Sequence, residues 1–446
     1  MEKIDLNKIY KRKKSDRDIF QELMPFKVKE ILLIANYYDS YTIEREGQFS
    51  GKIFGEYLQL NLFTAPRFTS VANEKAALHE LKKRHFDLII IMAGLDKETP
   101  LIISRNIKAL YPDICQLMLV NNNADLSYLS RTEKEISQTI ERVFVWNGST
   151  KVFLAMAKYL EDKMNLEADT KLGDVRVILV VEDSVKYYSR YLPLLYTEIM
   201  SQTQAIIAEE PSEDEMGIIL RMRVRPKLIL VSNFEDAVTI IDKYRNNIIG
   251  VISDVRYARN GVEDEDAGVN LIKYVQELDN KIPCLLQSHE ADNEHRAREI
   301  NAHFINKNSL TLAREIQDFI KKQLGFGDFI FRDQNGKAID KATNIEEFYQ
   351  KLMTIPDESL KYHAIRNDIS TWLMARAEIN LAKKLRRYSF SYFKSPNEIR
   401  HFISTVFEAS KLKKLRGRII RFSPKLVNSN RYITLLGEGS LGGKGR

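Results

Sequence analysis

Arg176-Val-Ile-Leu-Val-Val-Glu-Asp-Ser184 decides the fold. Five apolar residues in a row, too few for a helix and closed by two acids, read as a strand buried on both faces. Downstream, Lys227-Leu-Ile-Leu-Val231, Ile248-Ile-Gly-Val-Ile252, Pro283-Cys-Leu-Leu286 and Ala302-His-Phe-Ile305 are further runs of the same kind. Between the second and third runs, the residues from Phe234 to Tyr244 carry helical periodicity, and Leu310 to Leu324 closes the series as an amphipathic helix. Strands alternating with helices specify a parallel sheet covered on both faces.

Upstream the same pattern occurs once more. Glu30-Ile-Leu-Leu-Ile-Ala35, Phe86-Asp-Leu-Ile-Ile-Ile-Met92, Gln116-Leu-Met-Leu-Val120 and Arg142-Val-Phe-Val-Trp146 are strand-like, with a helical stretch from Asn73 to Lys82 among them. The expected fold class is therefore α/β: two flavodoxin-like (receiver-like), doubly wound, parallel five-stranded units, followed by a mainly helical C-terminal region. The organisation expected is an arm over 1–26 with the basic run Lys11-Arg-Lys-Lys14, a first α/β domain over 27–165, a second over 175–324, a helical connector over 328–436 and a glycine-rich end over 437–446. The acidic stretch Glu209-Glu-Pro-Ser-Glu-Asp-Glu215 reads as a surface loop or helix extension. In the connector, Asn344–Met353, His363–Leu385 and Asn397–Leu412 are periodic, and Asp357 and Ser395 mark helix starts.

Composition bounds the class. At 446 residues, with 44% hydrophobic and 29% charged content, several soluble domains are expected. No apolar run reaches the roughly 18 residues of a membrane span. The charged N-terminus is unlike a secretion signal. Cys115 and Cys284 sit in separate apolar segments, as buried thiols of a reducing cytoplasm do. The net charge of +7 is uneven: Lys361 to Arg446 holds 19 Lys and Arg against 5 Asp and Glu. Such a tail suits a solvated helical face, nucleic acid, nucleotide phosphates or an acidic partner surface.

Ligand sites of doubly wound sheets lie beyond the carboxyl ends of the strands. The second unit places Glu182 and Asp183 after its first strand, Asp254 after its third, Ser288 after its fourth and Lys307 after its fifth. Three converging carboxylates repel and call for a hard divalent cation such as Mg²⁺. With that charge cancelled, one carboxylate can act as a nucleophile toward a phosphoryl group. Lysine pairs with the phosphoryl oxygens, and serine donates to one of them.

These motifs, Ile178-Leu-Val-Val-Glu-Asp-Ser184, Val251-Ile-Ser-Asp254 with Gly261 downstream, Leu285-Leu-Gln-Ser288 and Phe304-Ile-Asn-Lys307, resemble the receiver domain of two-component response regulators. The resemblance implies Asp254 as phosphoacceptor, Mg²⁺ held by Glu182, Asp183, Asp254 and the backbone carbonyl of Arg256, Ser288 as switch hydroxyl and Lys307 as the phosphate-pairing lysine. It also implies a sensor histidine kinase or a small phosphodonor as partner. Two features depart from the family: no proline follows the acceptor in Val255-Arg-Tyr-Ala-Arg259, and the loop from Gly261 to Gly268 is long and acidic.

Aligned on its strands, the first unit sets Asn36 and Tyr37 against Glu182 and Asp183, Met92 against Asp254 and Asn147 against Lys307, with Asp39 and Asp96 out of register. It resembles a receiver in fold only, and a docking or homodimer surface is its expected use.

The stretch Tyr362–Glu378 divides into a polar face (His363, Arg366, Asn367, Asp368, Arg376) and an apolar one (Ile369, Trp372, Leu373, Leu381), as a packing helix does, with a catalytic His363 the lesser alternative. This stretch and Gly439-Ser-Leu-Gly-Gly-Lys-Gly-Arg446 resemble the segment that leads into the ATP-binding domain of phosphoenolpyruvate synthase/pyruvate phosphate dikinase-like enzymes. That implies nucleotide-binding roles for Gly442, Gly443 and Lys444, with ATP bound only if the protein continues past Arg446, and a downstream enzyme domain as output. The function expected is a phosphoacceptor module of a phosphorelay that regulates such an enzyme. The alternatives are a DNA-binding transcriptional regulator using the basic C-terminal region, which lacks a helix-turn-helix signature, and a fragment of an ATP-dependent phosphotransferase.

Overall fold

The computed structural model describes residues 16–36, 49–60, 65–93, 98–121, 133–208, 221–280, 282–366, 368–386, 393 and 395–419. They fall into two compact units, one from residues up to 328 together with 371–380, the other from 329–370 and the residues after 380. Lys11–Lys14, Tyr37, Asp39, Asp96, the Glu209–Glu215 stretch and Gly442, Gly443 and Lys444 lie outside the described residues.

The first unit contains two α/β sheets. Its N-terminal half comprises α1 (Asp16–Glu22), β1 (Glu30–Ile34), α2 (Phe49–Gln59), β2 (Arg67–Val71), α3 (Glu74–Lys83), β3 (Leu88–Ala93), α4 (Glu98–Leu110), β4 (Cys115–Val120), α5 (Glu133–Ile136), β5 (Arg142–Val145) and α6 (Lys151–Gly173). The strands are parallel in the order β2-β1-β3-β4-β5. The second half comprises β6 (Val177–Val181), α7 (Val185–Ala208), β7 (Lys227–Val231), α8 (Phe234–Lys243), β8 (Ile248–Asp254), the hairpin β9 (Tyr257–Arg259) and β10 (Val262–Asp264), α9 (Ala267–Leu278), β11 (Cys284–Ser288), α10 (Asn293–Glu299), β12 (His303–Asn306) and α11 (Leu312–Gln323). Its parallel order β12-β11-β8-β6-β7 is the same topology read from the other edge. Both sheets carry the doubly wound, receiver-like strand order. Helices begin where the sequence supplies caps: Asn73 accepts from the Ala76 N–H at 3.0 Å and Asn233 from the Asp236 N–H at 2.8 Å.

Sixteen of the 23 residues of α6 are buried, so it is an interior helix rather than a one-sided surface helix. Its polar residues have fixed partners. Glu161, Asn165 and Asp169, spaced four apart, accept from the backbone N–H groups of Val28 (3.1 Å), Phe26 (2.9 Å) and Met24 (2.8 Å), spaced two apart. On α6, Asp162 takes both arms of the Arg225 guanidinium at 2.7 and 2.9 Å and the N–H of Leu228 at 2.9 Å. Lys227, fully buried, pairs with Asp169 at 2.8 Å, and burial pulls its ammonium below the usual lysine range.

The two sheets cover each other's edges. β7 ends the second sheet, and its outward Leu228 N–H is taken by Asp162 of α6. β5 ends the first sheet; its Val145 N–H donates to Ser189 Oγ of α7 at 3.0 Å, and its Val143 carbonyl accepts from the Tyr188 hydroxyl. Strand edges that would otherwise template foreign pairing are thereby closed.

The second unit contains β13 (Phe329–Arg332), β14 (Ala338–Ala342), α12 (Ile345–Leu352), α13 (Asp357–Arg366), the start of α14 (Asp368–Ala375), the end of α15 (Ile379–Arg386) and α16 (Pro396–Ile419). The connector expected to be mainly helical therefore opens with an antiparallel hairpin. Its turn is set by Asp333, whose carboxylate accepts from Asn335 N–H and Lys337 N–H at 2.9 Å each, and by Gly336 at φ 79°. Phe329 and Phe331 pack against His363, and Phe348 packs against both of these rings. His363 Nε2 accepts from the Arg332 N–H at 2.9 Å, and Nδ1 pairs with Asp368 at 2.8 Å. Both ring nitrogens are engaged inside a core, and His363 is structural.

Arg376, expected on a polar face, is buried. Its guanidinium stacks 3.7 Å from the Trp372 ring and donates to the carbonyls of Gly325 (3.3 Å) and Gly327 (3.2 Å) just beyond α11. The stretch expected as one helix is broken at 376–378, with Ala377 at φ 57°.

Replacing Asp162 with alanine strands the buried Arg225 charge and the Leu228 N–H, and a loss of about 3–5 kcal/mol is expected. Ser189→Ala removes a single edge bond and should cost about 1 kcal/mol. Urea unfolding of the full chain measures both; equal, small losses would refute the edge-capping account.

Candidate functional site

The site is the carboxyl edge of the second sheet. Glu182 continues β6, its N–H donating to Val231 O at 3.0 Å, and its side chain is buried. Asp254 is the last residue of β8, and its Oδ1 accepts from the Val255 N–H at 2.7 Å. Lys307 follows β12, fixed by its own N–H on Ser288 O at 2.7 Å. Its buried ammonium lies 2.5 Å from Glu182 Oε2 and 2.6 Å from Asp254 Oδ2. Asp183 stands beside them at the exposed rim. Oxygens of Glu182, Asp183 and Asp254 all lie within 4.8 Å of one another, and among the described residues this is the group that could hold a metal ion.

One ammonium faces three carboxyls. Burial, reinforced by Asp254 and Asp183 against the pull of Lys307, raises Glu182 to about 8. Burial and Asp254 raise Asp183 to about 6. Such displaced acids concentrate where a protein binds or transforms something.

The segment after Asp254 is ordered by close packing. A side chain at Gly268 would put a Cβ 1.9 Å from the Asp254 carbonyl oxygen, and the Gly268 N–H donates to Val255 O at 2.9 Å. Only glycine lets α9 approach this closely. The long acidic loop expected over 261–268 contains the strand β10. The β9–β10 turn uses Asn260 and Gly261 at φ 52° and 74°. Tyr257 is buried and shares a 3.1 Å hydrogen bond with Ser253, while Arg256 pairs its side chain with Glu263 at 2.9 Å. Ser288 Oγ accepts from Asn293 Nδ2 at 2.9 Å and from the Glu290 N–H at 3.1 Å, which leaves its proton to donate.

The sheet registers correct the alignment of the first unit. Ala35 N–H meets Val71 O at 3.0 Å as Glu182 N–H meets Val231 O, and Trp146 N–H meets Val120 O at 2.7 Å as Lys307 N–H meets Ser288 O. Met92 lies opposite Leu119 as Asp254 lies opposite Gln287. The equivalents of Glu182, Asp183, Asp254, Ser288 and Lys307 are therefore Ala35, Asn36, Met92, Val120 and Trp146. The expected pairings of Asn36, Tyr37 and Asn147 are each one residue late, because hydrophobic runs show that a strand exists but not where its last paired residue falls.

Two contacts were not foreseen from sequence. The Tyr187 ring lies 4.3 Å from the Lys307 ammonium, and Arg190 donates to the Lys307 carbonyl at 3.2 Å. Tyr187-Tyr-Ser-Arg190 gave no motif to find them by.

No family model and no curated protein matches the chain. Among solved structures, NtrX from Brucella abortus in complex with ATP is similar at 10% identity and a TM-score of 0.24, over 85% of this chain and 99% of that one. A second crystal structure of NtrX from Brucella abortus, and one of NtrX in complex with ADP, are similar at 10% identity and a TM-score of 0.25, over 85% of this chain and 100% of theirs. The receiver-like fold rests on strand order and not on this likeness. Among the described residues, no helix is long and apolar enough to cross a membrane.

The raised acids give the metal-free protein a signed pH dependence. The folded chain holds more protons than the unfolded one between the ordinary carboxyl range and about 8. The stability these groups contribute is full on the acid side and is lost as pH rises through about 6 and then about 8. Denaturation in chelator across this range, with Glu182→Gln as reference, should show the wild type losing more stability toward alkaline pH; parallel curves would refute it.

Proposed function

We propose that residues 175–324 are a receiver whose Asp254 accepts a phosphoryl group, and that the chain is a response-regulator module of a phosphorelay. The observation that carries this reading is the grouping of Glu182, Asp183 and Asp254 within 4.8 Å of one another around the buried Lys307 ammonium. The donor set fits Mg²⁺: hard carboxylate oxygens, in excess of the cationic charge facing them, with an open side at the exposed Asp183. Glu182, Asp183, Asp254 and the carbonyl of Arg256 would hold it. The ion, when bound, lowers the repulsion between the Asp254 carboxylate and an incoming phosphoryl group.

The remaining chemistry belongs to the chain. An Asp254 carboxylate oxygen attacks phosphorus and forms the acyl phosphate. The bond from phosphorus to the donor, an imidazole nitrogen of a histidine kinase or an oxygen of a small acyl phosphate, breaks and leaves with its electron pair. Lys307 pairs with a phosphoryl oxygen as Asp254 loses its own charge. Ser288 donates its free proton to another, and in doing so draws on its bonds to Asn293 and Glu290, which passes the change to α10. The output we propose, from the resemblance of Tyr362–Glu378 and Gly439–Arg446, is a phosphoenolpyruvate synthase/pyruvate phosphate dikinase-like enzyme, attached or as a partner.

Treated with acetyl phosphate and Mg²⁺, the full chain should gain one phosphoryl mass on the peptide holding Asp254. Asp254→Asn should gain none, and Lys307→Ala should slow uptake about a hundredfold. Unmodified wild type, or uptake persisting in Asp254→Asn, refutes the assignment. The output is tested by assaying such an enzyme with the phosphorylated and unphosphorylated chain; identical activities remove it.

A further inference from the structure

Lys307 must change partners during the proposed reaction. At rest its ammonium is balanced between Glu182 and Asp254 at 2.5 and 2.6 Å. Phosphorylation of Asp254 removes one of these charges, and a lysine head group on a flexible stem then needs something else to keep it over the phosphoryl oxygens. The ring of Tyr187 lies against it, centroid 4.3 Å away, well inside cation–π range.

That ring is held in place. Tyr187 is in the first turn of α7, directly after the acidic pair, with its N–H on Ser184 O at 3.0 Å. It stacks on Tyr191 one turn later, 6.4 Å between centroids and 22° between planes. Tyr191 is buried, and its hydroxyl has no hydrogen-bond partner among the described residues, so it serves there as a ring. Arg190 of the same turn holds the Lys307 carbonyl at 3.2 Å. One turn of α7 thus grips the lysine at both its backbone and its head group.

We propose that Tyr187 is a positioning residue for Lys307: the face of its ring, not its hydroxyl, holds the ammonium in place while the charge on Asp254 is replaced by that of the phosphoryl group. The inference rests on the assignment of Asp254 as phosphoacceptor. Phosphorylation of the full chain by acetyl phosphate at saturating Mg²⁺ tests it. Tyr187→Leu should slow uptake about fivefold to thirtyfold, the span of a desolvated cation–π contact, and Tyr187→Phe should recover the rate to within about twofold. Mg²⁺ affinity by calorimetry should be the same in all three proteins, since the ion is held by the carboxylates. In a Lys307→Ala background, Tyr187→Leu should add nothing. Equal slowing by Leu and Phe, a matching loss of Mg²⁺ affinity, or undiminished slowing in the Lys307→Ala background overturns the proposal. Wild type that takes up no phosphoryl group refutes the phosphoacceptor assignment and this inference together; active wild type with an unaffected Tyr187→Leu refutes this inference alone.

Discussion

The bond from the Leu228 backbone to Asp162 is the contact on which the tandem arrangement turns. It joins the last helix of one sheet to the open edge of the next, where Arg225, with Lys227 beyond it, balances the buried carboxylate. Its counterpart is the pair Tyr188 and Ser189 on the edge of β5. Each half thus satisfies backbone groups that the other cannot satisfy alone. Apolar residues of α6 and α7 share one buried core, but apolar contact does not set a register. The polar contacts do, since a slip of one residue would leave buried donors unmatched.

The two halves show how little of a fold is committed to chemistry. They share strand order, edge positions and backbone bonds at equivalent points, yet one rim carries Glu182, Asp183, Asp254, Ser288 and Lys307 and the other Ala35, Asn36, Met92, Val120 and Trp146. Buried Met92 and the Trp146 ring, 5.4 Å from Phe153, extend the apolar core to the rim, where the second half keeps charge. At these five described positions the first half carries no titratable side chain.

The central strands were legible because strands buried on both faces are written as unbroken apolar runs. β2, Arg67-Phe-Thr-Ser-Val71, was not, since it is an edge strand with half-exposed side chains and little hydrophobic signal. The hairpins β9–β10 and β13–β14 were missed for another reason. They are short and held by turn residues, Asn260 with Gly261 and Asp333 with Gly336, rather than by periodicity. The carboxylates and Lys307 could be named because strand ends in this topology converge on one edge. Tyr187 could not, because a helix face is aimed by packing that residue spacing alone does not reveal. Arg376 ran against expectation: a charged residue read as solvent-facing satisfies carbonyls in the interior, with Trp372 as its stacking surface.

The row of Glu161, Asn165 and Asp169 against Val28, Phe26 and Met24 has a consequence of a different kind. Four residues of helix advance about 6 Å and two residues of extended chain about 6.6 Å, so the two periods are nearly commensurate. A helix and the irregular segment that leads into β1 can then share a run of hydrogen bonds as two gears of matched pitch share teeth. Substitutions along this row can be absorbed one tooth at a time. A single inserted or deleted residue within α6 cannot, because it turns everything beyond it by about 100° and disengages the remaining teeth at once. Length in this helix is therefore under tighter constraint than identity.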